Sequence, residues 1–253
     1  MHPILLKLGP FTLYSFGVAL ALAFVGATWF GQWTMLRAHR LGARSLLTAS
    51  QVADTAFWIL LAGILGARAL YVGTHWAYYR EHPVEIVAIW HGGLIFYGGL
   101  VSGIVTGWWF LRRQRVPLGQ TVDLLTPIVP LGQAIGRVGC FLNGCCYGKP
   151  TTSGLGVVFH WDVVPRYPTQ LFESAATLLM AIAFSAWNFH RRTWERPTGG
   201  RVFLTYLLLY GAWRFGIEFW RGDNPPIAAG LNVPQWISLG LITLSGAWLI
   251  RRR

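Results

Sequence analysis

Apolar residues run along this chain in long stretches, broken by short segments rich in arginine, glycine or proline. About 20 apolar helical residues cross the roughly 30 Å hydrocarbon core of a bilayer. Seven stretches approach that length, and they predict helices over about 12–36, 52–72, 94–111, 119–136, 169–189, 202–220 and 235–250. The fourth carries Asp123, Pro127 and Pro130, so a kinked or broken helix is expected there, with neighbours satisfying the freed backbone groups. The third is short and holds Gly98, Gly99, Gly103 and Gly107, a pattern suited to close helix packing. The first is too long for a signal peptide and is followed by Arg37, Arg40 and Arg44, as in a transmembrane helix. The expected fold is therefore an all-α polytopic membrane protein of about seven spans, with residues 1–253 as one integral membrane domain.

The composition agrees with that pattern. Of 253 residues, 54% are hydrophobic and only 12% charged, against about 25% charged in an ordinary soluble domain. The formal net charge is +12. Arginines that flank apolar segments set membrane topology and attract anionic lipid, and no nucleic acid partner is expected. RAHRLGAR (37–44), RRQR (112–115), HRRTWERPTGGR (190–201) and RRR (251–253) follow spans one, three, five and seven. The positive-inside rule makes that side cytoplasmic, with the N-terminus outside and the C-terminus inside.

His91, Arg137, Arg166, Arg214, Glu218 and Arg221 then fall at or near the outer ends of spans or in outer loops, against the positive-inside trend. Gathered on one side, they point to an anionic ligand. Arg68, in LAGILGARALYV, lies deeper and is expected to face the bundle interior, because a lipid-facing arginine at the bilayer centre costs about 2.5–3.5 kcal/mol on insertion scales. Arg214, Glu218 and Arg221 share one helical face at i, i+4 and i+7, with Tyr210 one turn earlier. They read either as a structural ion-pair network or as an anion site with a surplus positive charge. In the second reading Glu218 pairs mainly with Arg221 and leaves Arg214 free.

His91 opens the third span and is followed by two glycines that allow close backbone approach. It reads either as an interfacial capping residue or as a general base titrating near pH 6.5. Cys140, Cys145 and Cys146 lie on the expected outer side. C-x4-C-C matches no zinc spacing, so a structural cluster or one disulfide is expected, with no metal and no cofactor.

Taken together, the motifs resemble the prolipoprotein diacylglyceryl transferases, bacterial integral membrane enzymes. The resemblance rests on Tyr14, GARALYV (66–72), HGGL (91–94), DLLTPIVPLGQAIGR (123–137), NGCCYG (143–148), YPTQLFES (167–174) and RFGIEFWRGD (214–223), which occur in the family's order. It implies transfer of the diacylglyceryl group of phosphatidylglycerol to the lipobox cysteine of a prolipoprotein signal peptide, forming a thioether and releasing glycerol phosphate. It implies His91, Arg137 and Arg214 as catalytic residues, and Tyr14, Arg68, Asn143, Gly148, Tyr210, Glu218 and Arg221 as substrate-binding ones. Glycines around Arg137 would let the lipid headgroup lie against backbone N–H groups. It also implies a bacterial cytoplasmic (inner) membrane location with the active site towards the outer face. The family's usual signature has asparagine at the position of Cys140 and glutamate at that of Cys145. A paralogue with another acceptor, a transporter of small anions and a non-catalytic lipid-binding protein are the alternatives. A transporter would carry charges near the midplane and repeats in its two halves, neither of which is apparent.

Overall fold

A computed structural model describes residues 2–9, 11–43, 46–195 and 198–251, and the side chains of Leu8, Phe11 and His91 are outside the described set. Arg44, Arg196, Arg252 and Arg253 of the arginine clusters therefore lie outside the described residues. A short antiparallel hairpin, β1 (Ile4–Leu8) and β2 (Phe11–Tyr14), precedes the helices α1 (Ser15–Arg40), α2 (Ala49–Thr74), α3 (Trp76–Tyr79), α4 (Phe96–Arg113), α5 (Leu118–Leu125), α6 (Ile128–Asn143), α7 (Thr169–Arg191), α8 (Arg201–Ile217) and α9 (Val233–Arg251). All seven expected helical stretches are present. Among the described residues, five stretches are long and apolar enough to cross a membrane: α1, α2, the α5–α6 segment Leu118–Asn143, α7 and α9. Their apolar side chains stand outward, as Leu22, Val25 and Trp29 do on α1 at 59%, 62% and 66% exposure. A helix in water buries such residues; a lipid-facing one does not.

The hairpin departs from the sequence expectation. Tyr14 is the last residue of β2, opposite Ile4, and not part of the first helix. The expected break in the fourth stretch is present between α5 and α6, at Thr126 and Pro127. Pro127 and Pro130 supply no N–H, and Thr126 donates its hydroxyl back to the Val122 carbonyl at 2.9 Å.

The chain divides into two compact units, Met35–Leu118 and Met1–Thr34 with Gly119–Arg253. In the first, Thr48 and Gln51 form a capping box at the start of α2, and α2 packs along α4 through glycines. A Cβ at Gly66 would meet the Gly98 carbonyl at 2.7 Å, and one at Gly99 would meet the Gly63 carbonyl at 2.9 Å. The glycines of the third stretch thus serve the close helix approach expected of them.

In the second unit, polar clusters mark both ends of the bundle. At one end Asp123 of α5 accepts the Gly200 and Phe203 backbone N–H groups, each at 2.9 Å, and so satisfies orphan donors at the start of α8. Asn188 of α7 donates to the Asp123 carbonyl at 2.9 Å. Phe184, Val202 and Tyr206 form the apolar packing between α7 and α8. The opposite end gathers the start of α1, the end of α6, the start of α7, the end of α8 and the start of α9.

Candidate active site

That second end holds a buried charge cluster centred on Glu173, in the second turn of α7. Arg137 of α6 places Nη2 2.9 Å from Glu173 Oε1. Arg214 of α8 places Nη1 3.0 Å from Glu173 Oε2, and the Tyr210 hydroxyl donates to Oε1 at 3.3 Å. One carboxylate therefore draws two guanidiniums, from two other helices, to a single point. Glu173 is 2% exposed, whereas the Arg137 and Arg214 side chains retain 19% and 13%. The carboxylate lies at the floor and the arginines form the accessible rim.

Glu173 is the functional residue that the sequence reading passed over. Its signal was present: it is the one carboxylate within the apolar 169–189 stretch, and an intramembrane acid marks a site by default.

The other arginine network corrects an expectation. Glu218 was expected to pair mainly with Arg221 and to leave Arg214 free. Instead Arg214 Nη2 lies 2.5 Å from Glu218 Oε1, a charge contact off the hydrogen-bond direction. Arg221 Nε is 3.5 Å from the same oxygen. Arg221 makes its close, two-pronged bond to Asp223, at 2.9 and 2.6 Å. Two further carboxylates, Glu173 and Asp223, thus balance the surplus charge that spacing alone suggested. Glu218 is buried, and its Oε2 accepts from Asn224 at 2.8 Å and Asn232 at 2.7 Å. Its Oε1 faces Arg214 and Arg221. Arg221 is 6% exposed.

Gly148 lies in the segment after α6. Its N–H is bonded to the Tyr167 carbonyl at 2.9 Å, and Gly144's to the Phe141 carbonyl at 3.1 Å, so neither amide is open to a headgroup. Gly148 is needed for close approach: a Cβ there would lie 2.6 Å from Tyr167 and 3.0 Å from the Trp220 carbonyl. Gly136, beside Arg137, has open space where a side chain would project. Arg166, in the loop before α7, is bound to Asp162 at 2.5 Å and stacks over Tyr147 and Trp161. With Arg166 as first cause, the Asp162 carboxyl is held below its ordinary range.

Arg68, in the other unit, was expected to face the interior and does, at 7% exposure. In this structure its guanidinium is bound to backbone carbonyls. Nε donates to Ile86, Nη1 to Gly92 and Gly93, and Nη2 to Glu85 and Ala88, all at backbone carbonyls and 2.6–3.4 Å. All five guanidinium N–H groups are used. Arg68 shapes the turn that carries His91, which lies in a short 3-10 helix before α4. Gly92 and Gly93 follow at φ of 83° and 75°, and a Cβ on Gly93 would strike the Tyr71 ring and Arg68 Nη1 at 2.5 and 2.6 Å. The close approach expected at these glycines is made at Gly93, by Arg68 and Tyr71. The His91 side chain lies outside the described residues. Tyr14 is 55% exposed at the end of the hairpin.

The segment after α6 brings the cysteines together. Asn143 ends the helix, Gly144 takes the left-handed conformation beyond it, and Cys146 follows at φ 63°. The Cys145 thiol donates to the Cys140 carbonyl at 3.7 Å. All three thiols are free in this structure, and their sulfurs lie within 4.8 Å of one another. Hydrogen bonding from Cys140 and then Cys145, followed by the charges of Arg221 and Arg137, holds the Cys146 thiol below the ordinary thiol range against the effect of burial.

An apolar cavity of about 590 Å³ lies along α7 and α8, lined by Tyr167, Phe172, Leu179, Trp213, Ile217 and Trp220 among others. Phe172, Trp213 and Ile217 directly precede Glu173, Arg214 and Glu218 in the chain. The slot and the charge cluster thus draw on neighbouring residues of α7 and α8.

Comparison with known proteins agrees with the motifs. The family profile described as prolipoprotein diacylglyceryl transferase matches residues 3–251. A protein of Cupriavidus metallidurans is 34% identical over 99% of this chain and 94% of its own length. One of Nitratidesulfovibrio vulgaris is 36% identical over 99% and 94%, and one of Bordetella avium 35% over 94% and 89%. Each is named phosphatidylglycerol–prolipoprotein diacylglyceryl transferase. The chain belongs to the prolipoprotein diacylglyceryl transferase family.

Proposed function

We propose that in this member of the family Arg137 and Arg214 hold the phosphate of the donor lipid. The chain transfers a diacylglyceryl group from phosphatidylglycerol to prolipoprotein. The observation that carries the assignment is the convergence of two partly exposed guanidiniums on Glu173. Two planar forks fixed by one carboxylate present their remaining N–H groups in a set geometry, which suits the oxygens of a phosphodiester. Open space over Gly136 leaves room for the headgroup beside Arg137, and the slot between α7 and α8 suits an acyl chain.

The reaction forms a bond from the acceptor cysteine's sulfur to the glyceryl carbon and breaks that carbon's bond to the phosphate oxygen. The electron pair leaves on glycerol phosphate, whose charge rises as the bond breaks. Arginines aimed at that oxygen stabilise the transition state more than the ground state. Only a thiolate attacks well, and a free thiol ionises near pH 8.5. We assign its proton to His91, because imidazole is the side-chain type whose ordinary titration lies nearest neutral pH. The acceptor is the lipobox cysteine of the signal peptide, so the chain's own thiols do not enter the reaction. Glu218, Arg221 and Tyr210 act as positioning residues around Arg214 and Glu173, and Arg68 as one beneath His91. Asn143 and Tyr14 are assigned to the substrate side by resemblance.

Seven spans, an outer N-terminus, a cytoplasmic C-terminus and a place in the bacterial inner membrane complete the reading, supported by the alternation of arginine clusters with the helices. The Glu173 end then faces outward. An anion transporter has no comparable support, since the charges crowd one end of the bundle.

The test is purified protein with phosphatidylglycerol and a synthetic lipobox peptide. A diacylglyceryl mass gain on the peptide cysteine, absent with Arg137→Ala, is expected. An active Arg137→Ala variant would remove the arginine rim from the site.

A further inference from the structure

The three cysteines take no part in the transfer, yet the fold builds a place for them. Cys140 sits in the last turn of α6, and Cys145 and Cys146 lie just past its glycine cap. Their backbone is pinned from α7: Gln170 Nε2 donates to the Cys145 carbonyl at 2.6 Å, and Thr169 Oγ1 to the Cys146 carbonyl at 2.9 Å. Gln170 is 1% exposed, and its Oε1 has no partner among the described residues. Cys146 is held at φ 63°, a conformation that non-glycine residues seldom adopt without a reason. All three Sγ atoms lie within 4.8 Å of one another, and among the described residues this is the one His, Cys, Asp or Glu group with metal-ligand spacing.

We propose that Cys140, Cys145 and Cys146 form a three-thiolate site for one soft, thiophilic metal ion of the Cu(I) class. The geometry favours this over a disulfide. Three sulfurs around a metal at about 2.3 Å stand roughly 4 Å apart, so sulfurs within 4.8 Å reach it by side-chain adjustments of about half an ångström. A disulfide needs about 2.0 Å and leaves one thiol out. Soft thiolates select Cu(I), and a set of three without a fourth ligand suits it better than Zn(II), which takes four. Binding forms three metal–sulfur bonds, releases the thiol protons to solvent and changes no oxidation state. Three thiolates and one monovalent ion carry a net charge of −2, on which the charges of Arg221 and Arg137 act favourably.

The experiment uses full-length protein in detergent, reduced and anaerobic, titrated with Cu(I) against a chromophoric chelator. One equivalent per chain is expected, with a first shell of three sulfurs at about 2.3 Å by X-ray absorption. Cys146→Ser should weaken binding by 100-fold or more, and Gln170→Leu, which removes no ligand, by about 10-fold. The absorption measurement on the unaltered protein decides the case even if a variant fails to fold. Unchanged binding in the triple serine variant, a shell of nitrogen or oxygen, tighter binding of Zn(II) than Cu(I), or loss of two thiols to a disulfide in the metal-free protein would each overturn the assignment. None of these readouts depends on transferase activity.

Discussion

Arg137 of α6 meets Glu173 of α7 at 2.9 Å, in a pair whose acid is 2% exposed and whose base still reaches the surface. The same acid binds Arg214, so removing it strands two guanidiniums. Breaking a buried pair by deleting one partner costs about 3–5 kcal/mol. Glu173→Ala should therefore lower both the melting temperature in detergent and turnover. Glu173→Gln keeps the shape and a hydrogen-bonding oxygen, and should melt nearer the parent protein. An alanine variant with unchanged melting and activity would remove Glu173 as the organiser of the cluster.

Arg137→Lys tests the fork itself. Lysine keeps the charge but not the planar bidentate geometry, so turnover should fall nearly as far as in Arg137→Ala while the protein stays folded. Near-parental turnover with lysine would mean that a point charge is enough.

The proposed role of His91 as the base predicts a pH dependence of the transfer. As a base it must be neutral, so activity should fall as pH drops through its pKa. His91→Gln should lose roughly 10²–10⁴ in rate, with recovery at elevated pH where the acceptor thiol ionises unaided. A variant equally inactive at every pH points to a role in lipid placement.

Cys146 should show its lowered pKa in alkylation. An acid with a depressed pKa stays ionised as pH falls below the ordinary thiol value near 8.5. Labelling of metal-free protein between pH 6 and 7 should therefore favour Cys146, whereas an unperturbed thiol slows about tenfold per unit of pH over that range. Equal slowing at Cys146 would contradict the hydrogen bonding from Cys140 and Cys145, and after it the charges of Arg221 and Arg137, as the cause of a lowered pKa. Since the acceptor supplies the reacting thiol, the triple serine variant should retain transfer activity.

Orientation is open to direct measurement. Reporter fusions after residues 40, 114, 196 and 253 should all report cytoplasm. A periplasmic signal at any one of them breaks the seven-span arrangement.

The helices of this protein were legible in its sequence because their causes are local. Runs of apolar residues bounded by arginine place α1, α2, α4, α7, α8 and α9 within a few residues, and Pro127 and Pro130 foretell the α5–α6 break, because a missing N–H acts where it stands. Arg137, Arg214 and the glycines of α4 also stood out, as residue types that hydrocarbon does not tolerate or that close packing requires. The partners of those residues were not legible. Glu173 lies 36 residues from Arg137 and 41 from Arg214, and their meeting depends on the end of α6, the start of α7 and the end of α8 packing together. Helical spacing offered Arg221 and Arg214 to Glu218 on equal terms, and only the turn that brings Asp223 to Arg221 decided between them. The carbonyls that occupy Arg68 and the convergence of Cys140, Cys145 and Cys146 are likewise products of loop paths. Hydropathy and periodicity record what each residue prefers as a solvent; which charge it meets is decided by tertiary packing, where a charge withdrawn from water must find a partner at close range.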